Sequence, residues 1–567
     1  MPESETIIVS QLQAESRPPS TVIPLPGVHT LTGGEALVAS LVAHGVDTVF
    51  ALPGIQLDGL FAALYDARAY LRVIHTRHEQ AAAYMADGYA RVSGKEGVCV
   101  VVPGPGVLNA AAGLATAYAC NSPVLCIAGQ VRSDLIDAGR GALHEIPNQI
   151  GVLNSVTKEV TRIPAPRAVP SAVEEAFRQL RTGRTRPVAL EVAPDVLMAE
   201  EDVHLPDVTV AHERHTGDPD AIERAAQVLG AAVSPVIVAG GGVLRSGASD
   251  DLLDLAEMLQ APVLTSRNGK GAVSDRHYLA QSPLVAGDLL STADAVLVVG
   301  TRFPDVGEPP PSLQPATQIV HLDVDAAEFG RFGPDAIEVH ADARLGLAAL
   351  ANRLGRLNRR RPSRRLELTT LKEASAARVN AINPQADYAL AIRAELPDEG
   401  ILVSEFTQVG YWSYLGYPVY QPNTFITPGY QGTLGYGFTT AMGVQVGRPD
   451  VPVISINGDG GFGYTLNELS TLVQHGIPLV SVVFNDNAYG NVRRIQQDDF
   501  GGRVIASDLV NPDYRKLAEA FGVAGRRAET PSALRVQLRE AIAAQEPALI
   551  EVPIGPTPNP WKTLGLR

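Results

Sequence analysis

Cysteine is scarce in this sequence, whose 567 residues contain only Cys99, Cys120 and Cys126. Three cysteines in apolar surroundings, without the spacing of a metal site, argue against a disulfide framework and predict buried thiols in a reducing compartment. No apolar run is long enough to cross a membrane, and the first residues lack the apolar segment of a secretion signal. We therefore expect a cytoplasmic protein that does not bind membranes.

An excess of positive charge is also lacking. Lys and Arg number 46 against 61 Asp and Glu, which gives a formal net charge of −15. Because proteins that bind nucleic acids or anionic membranes need a basic surface, we expect neither as a partner. The one basic run, 353–365, is interpreted as a solvated linker or a subunit contact. The remaining composition, 45% hydrophobic and 19% charged, is that of an ordinary globular protein.

Strand and helix patterns alternate along most of the chain, which predicts an α/β fold of three open parallel-sheet domains. An acidic, polar segment at 201–216 predicts a linker between the first two domains. The predicted divisions are a flexible N-terminal arm at 1–28, a first α/β domain at 29–200, a central α/β domain at 215–352, a basic linker at 353–379, and a third α/β domain with a C-terminal tail at 380–567.

The segment 451–491 predicts the functional centre. An apolar run leads into Gly458-Asp459-Gly460-Gly461, a helical pattern follows, and a second apolar run ends at Asn485-Asp486-Asn487. Such a crossover makes the two strands parallel, so Asp459 and Asp486 are expected at one sheet edge. Two carboxylates this close need a cation, and oxygen ligands suit Mg²⁺ or Ca²⁺. The competing interpretation is ordinary turn and capping chemistry.

The glycines around Asp459 add a second ligand to this prediction. They let backbone amides approach an anion at the start of a helix. We therefore expect a metal–diphosphate site. In the first domain, Glu79 stands just before an alanine-rich helix, so its carboxylate is expected at the carboxyl edge of the first sheet. Taken alone, a favourable contact with the helix dipole also explains Glu79.

These motifs resemble those of thiamin-diphosphate (ThDP) enzymes. The GDG turn and the polar turn 27 residues beyond Asp459 resemble the metal signature of that family, with Asp486 in place of its second Asn. HEQAAAYMADGYAR at 78–91 and GYQGTLGYGFTTAMG at 429–443 resemble segments of the acetolactate synthase, pyruvate oxidase and benzoylformate decarboxylase group. The likeness extends from about Thr32 to about Pro553.

The resemblance implies ThDP and Mg²⁺ as cofactors and gives roles to individual residues. Glu79 would share a proton with the pyrimidine, the carbonyl of Gly432 would accept its amino hydrogen, and Leu434 would hold the cofactor bent. The implied diphosphate contacts are Gln408, Gly458, Asp459, Gly460, Gly461 and Asp486. The implied metal ligands are Asp459, Asp486 and the backbone carbonyl of Ala488.

The implied substrate pocket is formed by Ile55, Gln56, His144, Asn491 and Ile495. His144 falls near the position of a family glutamine above the thiazolium, which makes it a candidate catalytic proton donor beside Glu79; an ordinary loop histidine is the alternative. Ile495 replaces a tryptophan that acetolactate synthases use to favour a larger second oxo acid. FAD is disfavoured, because LAQSPLVAG from Leu279 replaces the flavin-side segment.

The expected reaction is decarboxylation of a 2-oxo acid, with carboligation to an aldehyde or ketone as a further possibility. The closest alternative is a 2-oxo acid decarboxylase or C–C lyase without ligation. A nicotinamide-dependent dehydrogenase is disfavoured because no GxGxxG motif follows a strand of the central domain. A catalytically silent cofactor-binding protein is a third alternative. The resemblance also implies that Glu79 of one subunit faces Asp459 of another, so we expect a homodimer at minimum and a homotetramer as the larger assembly.

Overall fold

The computed structural model describes residues 26–208, 214–303 and 313–566. It contains three six-stranded parallel sheets, which confirms the predicted α/β class. The arm predicted at 1–28 lies almost entirely outside the described residues. Within the described ranges, no helix combines the length and the apolar character needed to cross a membrane.

Domain 1 is built on a sheet with the order β3-β2-β4-β5-β7-β6, and a separate antiparallel pair joins β1 to β8. The strands are β1 (Gly27–Thr32), β2 (Thr48–Ala51), β3 (Arg72–His75), β4 (Gly97–Val101), β5 (Val124–Gly129), β6 (Glu159–Ile163), β7 (Val188–Val192) and β8 (Glu200–Leu205). The helices are α1 (Gly33–Ala43), α2 (Asp58–Asp66), α3 (Glu79–Val92), α4 (Pro105–Cys120), α5 (Gln149–Asn154), α6 (Val169–Arg181) and α7 (Pro194–Met198). Strand β8 corrects the linker expected from residue 201, because Val203 and Leu205 are buried.

The central domain has the sheet order β11-β10-β9-β12-β13-β14. Its elements are α8 (Pro219–Ala231), β9 (Pro235–Ala239), α9 (Gly241–Ser246), α10 (Ser249–Leu259), β10 (Val263–Thr265), β11 (Ala280–Gln281), α11 (Ala286–Ser291), β12 (Ala295–Val299), β13 (Gln318–Asp323), β14 (Ile337–His340) and α12 (Ala343–Leu357).

The segment predicted as a basic linker, 353–379, is largely helical instead. Helix α12 continues to Leu357, and α13 covers Arg365–Asn380. Helix α13 is stabilised by apolar burial, since Leu368 joins the core of the central domain and Val379 joins that of domain 3. Arg361 donates hydrogen bonds to carbonyls at the end of α8, which is the expected place for a cation at a helix C-terminus.

Domain 3 has the sheet order β16-β15-β17-β18-β20-β19, which repeats the strand order of domain 1. Its elements are α14 (Gln385–Glu395), β15 (Ile401–Ser404), α15 (Gln408–Gly416), β16 (Phe425–Ile426), α16 (Tyr436–Gly447), β17 (Val453–Gly458), α17 (Asp459–Phe462), α18 (Leu469–His475), β18 (Val480–Asn485), α19 (Gly490–Asp499), α20 (Tyr514–Ala520), β19 (Ala524–Arg527), α21 (Pro531–Ala544), β20 (Ala548–Pro553) and α22 (Pro560–Thr563).

Domains 1 and 3 share one hydrophobic core through the crossing of α3 with α16. Two glycines allow the close approach. A Cβ at Gly88 would lie 2.1 Å from the carbonyl oxygen of Thr440, and a Cβ at Gly443 would lie 2.0 Å from that of Met85. The crossing therefore fixes the helix that begins with Glu79 directly onto domain 3.

Candidate active site

The carboxyl ends of β17 and β18 bring two acidic side chains together. These strands are adjacent and parallel, and Asp459 and Asp486 follow their last residues. The two carboxyl groups lie within hydrogen-bonding contact. Burial, together with the charge of Asp459, raises the pKa of Asp486 to about 6, and burial raises the pKa of Asp459 as well. The pair therefore resists holding two negative charges unless a cation lies between them.

The glycines beside Asp459 are required by close contacts on both sides of the turn. A Cβ at Gly460 would lie 2.7 Å from the ring of Tyr489, and one at Gly461 would lie 2.2 Å from the carboxylate of Glu405. Gly458 precedes Asp459 in extended conformation. The turn therefore presents backbone rather than side chains at the start of α17, which suits an anionic ligand.

The loop after β18 brings the backbone of Ala488 to the acidic pair, where its N–H donates to Asp486 Oδ1 at 3.2 Å. In its antiparallel bridge to residues 507–509, Tyr489 N–H donates to Ser507 at 2.8 Å, and Leu509 N–H donates to the Asn487 carbonyl at 2.8 Å. The carbonyl of Ala488 takes part in neither bond, so this bridge does not compete with its predicted role as a metal ligand.

Helix α19 contributes the two predicted substrate residues of domain 3. Asn491 and Ile495 are half-buried. Asn491 accepts a hydrogen bond from Arg494, which also donates to the side-chain oxygen of Gln408 at 2.7 Å. The guanidinium group of Arg494 thus joins Gln408, a predicted diphosphate contact, to Asn491, a predicted substrate residue. The sequence analysis did not identify Arg494.

The loop before α16 holds the residues predicted to contact the pyrimidine. Gly432 has a φ of +60°, a conformation that favours glycine, and packs on the ring of Phe406. The carbonyl of Leu434 accepts a hydrogen bond of 3.5 Å from the side chain of Gln80 in α3. The loop therefore lies against the start of the helix that carries Glu79.

Glu79 is the first residue of α3 and is buried. Its Oε2 accepts a hydrogen bond of 3.0 Å from Asn109 Nδ2, while a Cβ at Gly106 would lie 3.4 Å from Oε1. Both neighbours lie in the first turns of α4. Within a single chain, the side chain that hydrogen-bonds to the Glu79 carboxylate therefore belongs to domain 1.

His144 lies at the same edge of the first sheet in a strained conformation. Its φ is +70°, which is uncommon for a residue with a side chain and is often found at functional sites. Nδ1 hydrogen-bonds to Gln56 Oε1 at 3.2 Å, and Gln56 Nε2 donates to the Leu143 carbonyl at 3.1 Å. The next predicted pocket residue, Ile55, is 65% exposed.

The predicted site residues therefore form two groups. The first half-site, on domain 1, consists of Ile55, Gln56, Glu79 and His144. The second half-site, on domain 3, consists of Gln408, Gly432, Leu434, Gly458, Asp459, Gly460, Gly461, Asp486, Ala488, Asn491 and Ile495.

Comparison with known families shows to which family the chain belongs. Three family models match: the N-terminal TPP binding domain of thiamine pyrophosphate enzymes at 31–152, their central domain at 222–350, and their C-terminal TPP binding domain at 405–552. A probable acetolactate synthase large subunit from Methanocaldococcus jannaschii is 35% identical, over 93% of this chain and 92% of the relative. The chain belongs to the thiamine pyrophosphate enzymes, in the acetolactate synthase group.

Two further relatives differ in the activity that their names give. The acetolactate synthase isozyme 3 large subunit of Escherichia coli is 31% identical, over 90% of this chain and 92% of the relative. A probable 2-ketoarginine decarboxylase AruI from Pseudomonas aeruginosa is 34% identical, over 94% and 95%. One relative is thus named as a synthase and the other as a decarboxylase.

The second half-site of this thiamine pyrophosphate enzyme fits a diphosphate held through a metal ion. Its donors are the two neighbouring carboxyl groups and, in the predicted ligand set, the backbone carbonyl of Ala488, and Mg²⁺ normally fills its other positions with water and phosphate oxygens. No cluster of three or more His, Cys, Asp or Glu side chains suited to a metal occurs among the described residues. Two carboxylates alone would leave most positions of a bound Mg²⁺ ion to other oxygen ligands.

Sequence analysis missed Glu405, which lies beneath both loops of the second half-site. Its buried carboxylate accepts the N–H groups of Gly435 at 2.9 Å and Gly458 at 3.2 Å. Burial raises the pKa of Glu405 to about 7. The available signal was an acidic residue just after the buried strand β15, at the edge where the other site residues lie.

The central domain gives no support to the dehydrogenase alternative. Its glycine turn after β9 packs on the turn after β12, where a Cβ at Gly240 would lie 2.2 Å from the carbonyl oxygen of Gly300. Gly242 and Gly300 likewise meet backbone to backbone. The close packing of these two turns accounts for the glycines without a dinucleotide.

Proposed function

We propose that this thiamine pyrophosphate enzyme uses ThDP and Mg²⁺ to decarboxylate a 2-oxo acid, and that it can transfer the resulting unit to an aldehyde or ketone, as an acetolactate synthase does. The acidic pair Asp459–Asp486 at the edge shared by β17 and β18 is the observation that carries the proposal. Two carboxyl groups in contact beside a glycine turn are matched by a divalent cation with a bound diphosphate.

In this proposal, Asp459, Asp486 and the Ala488 carbonyl hold Mg²⁺. The backbone of Gly458, Gly460 and Gly461 and the side chain of Gln408 bind the diphosphate. The 459–461 amides lie in the glycine turn after β17, where no side chain but that of Asp459 separates the backbone from the anion. These residues bind and orient the cofactor but transfer no proton.

Glu79 holds and returns a proton at the pyrimidine ring, while the Gly432 carbonyl and the Leu434 side chain fix the orientation of that ring. ThDP held by these residues would supply a nucleophilic carbon and an electron sink for the decarboxylation. The hydrogen bond from Asn109 keeps the Glu79 carboxylate in one orientation. His144, held by Gln56, donates a proton to the substrate carbonyl oxygen.

We propose that the complete site forms between two copies of the chain, in a homodimer or a homotetramer. Exposed apolar side chains stand beside residues of both half-sites. Leu143 next to His144 is 64% exposed, and Val510 is fully exposed near the Asp459 turn. Ile55, Leu108, Tyr464 and Val492 are also exposed. Joining the first half-site of one copy to the second half-site of another would bury these surfaces.

A second candidate function is decarboxylation without ligation. The similarity to the decarboxylase from Pseudomonas aeruginosa favours it, as does Ile495 at the place of the ligases' tryptophan.

A cytoplasmic location remains our prediction. The three cysteines are free thiols in the structure.

The test is incubation of the purified protein with ThDP, Mg²⁺ and a panel of 2-oxo acids, with and without aldehydes, with products identified by mass. We expect CO₂ release and a ligated product. Glu79→Gln should keep ThDP affinity while turnover falls at least about a hundredfold, the usual contribution of a proton-transferring group. CO₂ release without any ligated product would favour the second candidate function. Undiminished turnover in Glu79→Gln would remove Glu79 from the mechanism.

A further inference from the structure

The turn that leads into Glu79 is held by a buried carboxylate of domain 3. The turn comprises Thr76, Arg77 and His78, between β3 and α3. Arg77 N–H donates to both carboxylate oxygens of Glu468, each at 3.0 Å. The backbone of His78 also hydrogen-bonds to this carboxylate. Glu468 is completely buried, and Glu79 is the residue directly after His78.

The Glu468 carboxylate is itself fixed by its own domain. The Thr471 hydroxyl donates to Oε2 at 2.6 Å, and the Asn467 side-chain amide donates to Oε1 at 3.0 Å. Glu468 ends the 3₁₀ turn Leu466–Glu468, which follows α17. Burial raises the pKa of Glu468. Every one of these bonds is donated to the carboxylate, so the group acts as a fixed acceptor aimed at the backbone of the turn.

Further contacts attach the same turn and the last residue of β3 to α18. Arg77 Nη2 donates to Gln474 Oε1 at 3.3 Å. The rings of His75 and His475 meet edge to face, with 5.0 Å between their centroids. Together with the Gly88–Gly443 crossing, these contacts bind α3 to domain 3 along its length. None of them uses the Glu79 carboxylate, which is left to its own partner in domain 1.

We infer that Glu468 is a positioning residue for Glu79: by binding the N–H groups of residues 77 and 78, it sets where the first turn of α3 begins and therefore where the Glu79 carboxylate lies. The inference rests on the proposed function, in which Glu79 contacts the pyrimidine. Because Glu468 acts through backbone groups, the geometry assigns it no direct contact with cofactor or substrate.

The test is Glu468→Gln, which keeps the shape but turns an N–H₂ group toward backbone donors. In the cofactor-free protein, deuterium exchange of the amides in 76–82 should quicken about tenfold, as expected for one lost buried hydrogen bond. With ThDP and Mg²⁺ added, the hydrogen at the thiazolium C2 should exchange about tenfold more slowly. ThDP affinity should change less than about threefold, because the metal and diphosphate contacts are untouched.

The matched control is Glu328→Gln, which removes the charge of another buried glutamate. Glu328 lies in the central domain and is paired with Arg331 of that domain and with Arg184 of domain 1. The substitution should lower thermal stability without changing amide exchange at 76–82. Should Glu468→Gln fold poorly, Thr471→Val serves instead, since it removes one bond that fixes the same carboxylate and should give a smaller change in both exchange rates.

Unchanged amide exchange at 76–82 in Glu468→Gln and Thr471→Val would overturn the inference. So would unchanged C2 exchange in Glu468→Gln when Glu79→Gln abolishes it. If Glu79→Gln itself leaves C2 exchange intact, the proposed function fails instead. The amide measurement in the cofactor-free protein keeps the two failures distinguishable.

Discussion

Replacing Asp486 by Asn should stabilise the metal-free protein above pH 6 and weaken Mg²⁺ binding. Burial and the neighbouring Asp459 raise the pKa of Asp486 to about 6. In the pH range between the ordinary aspartate pKa and about 6, the folded protein therefore holds a proton that the unfolded chain has released. Stability from this protonated pair is fully present at low pH and is lost as the pH rises through about 6. An asparagine has no proton to lose.

The size of this stabilisation follows from the difference between the pKa of Asp486 in the folded protein and in the unfolded chain. Moving an aspartate pKa from its ordinary value to about 6 is worth at most about 3 kcal/mol. Because Asp486 is only half-buried, solvent screening reduces this to about 1–2 kcal/mol. For a domain of this size, that corresponds to a rise in Tm of about 2–8 °C. Mg²⁺ binding should change in the opposite direction. The loss of one charge close to the ion should weaken the affinity of Asp486→Asn for Mg²⁺ roughly tenfold.

The assay is thermal unfolding of the metal-free wild type and variant from pH 4.5 to 8, followed by Mg²⁺ titration at pH 8. Asp508→Asn is the matched control: its carboxylate is 68% exposed and paired with Arg493 at 3.1 Å, so we expect no such pH dependence. A stability difference that is equal at pH 5 and pH 8, or unchanged Mg²⁺ affinity in Asp486→Asn, would refute the reasoning.

Three further changes test other parts of the structure. Gly443→Ala should lower the free energy of unfolding by about 2–3 kcal/mol, because the new Cβ would clash with the Met85 backbone; an unchanged denaturation midpoint would contradict the crossing of α3 and α16. His144→Gly should retain or raise Tm by relieving about 1 kcal/mol of strain, while turnover falls about a hundredfold or more; full turnover would remove His144 from catalysis. Asp459→Ala should weaken ThDP binding measured by calorimetry, and equal affinity would contradict its role at the metal.

Local sequence patterns suffice for much of the fold. The strands of the three sheets are short apolar runs, which parallel strands covered on both faces require. A strand–helix–strand crossover has one common hand, so the shared edge of Asp459 and Asp486 follows from the order of elements alone. For the same reason, Glu79 could be assigned to the edge of the first sheet.

Contacts between distant segments could not be predicted in this way. Glu468 reaches Arg77 across 391 residues, and no local period marks either one. Strand β1 pairs with β8 through residues 172 apart, in a segment that resembled a linker. Glu405 shows the same limit, since its two backbone partners come from separate loops. Contacts of this kind form only when distant segments of the chain pack together, so they cannot be read from local sequence patterns.

The central claim is that Glu79 of one copy and Asp459 of another serve the same cofactor. The most direct test is to co-express Glu79→Gln and Asp459→Ala, each inactive alone, and to measure ThDP-dependent CO₂ release by the mixture. If subunits pair at random, half of the dimers are mixed and each has one intact site, so we predict about a quarter of the wild-type activity. A mixture that forms mixed dimers but stays inactive would contradict the shared site.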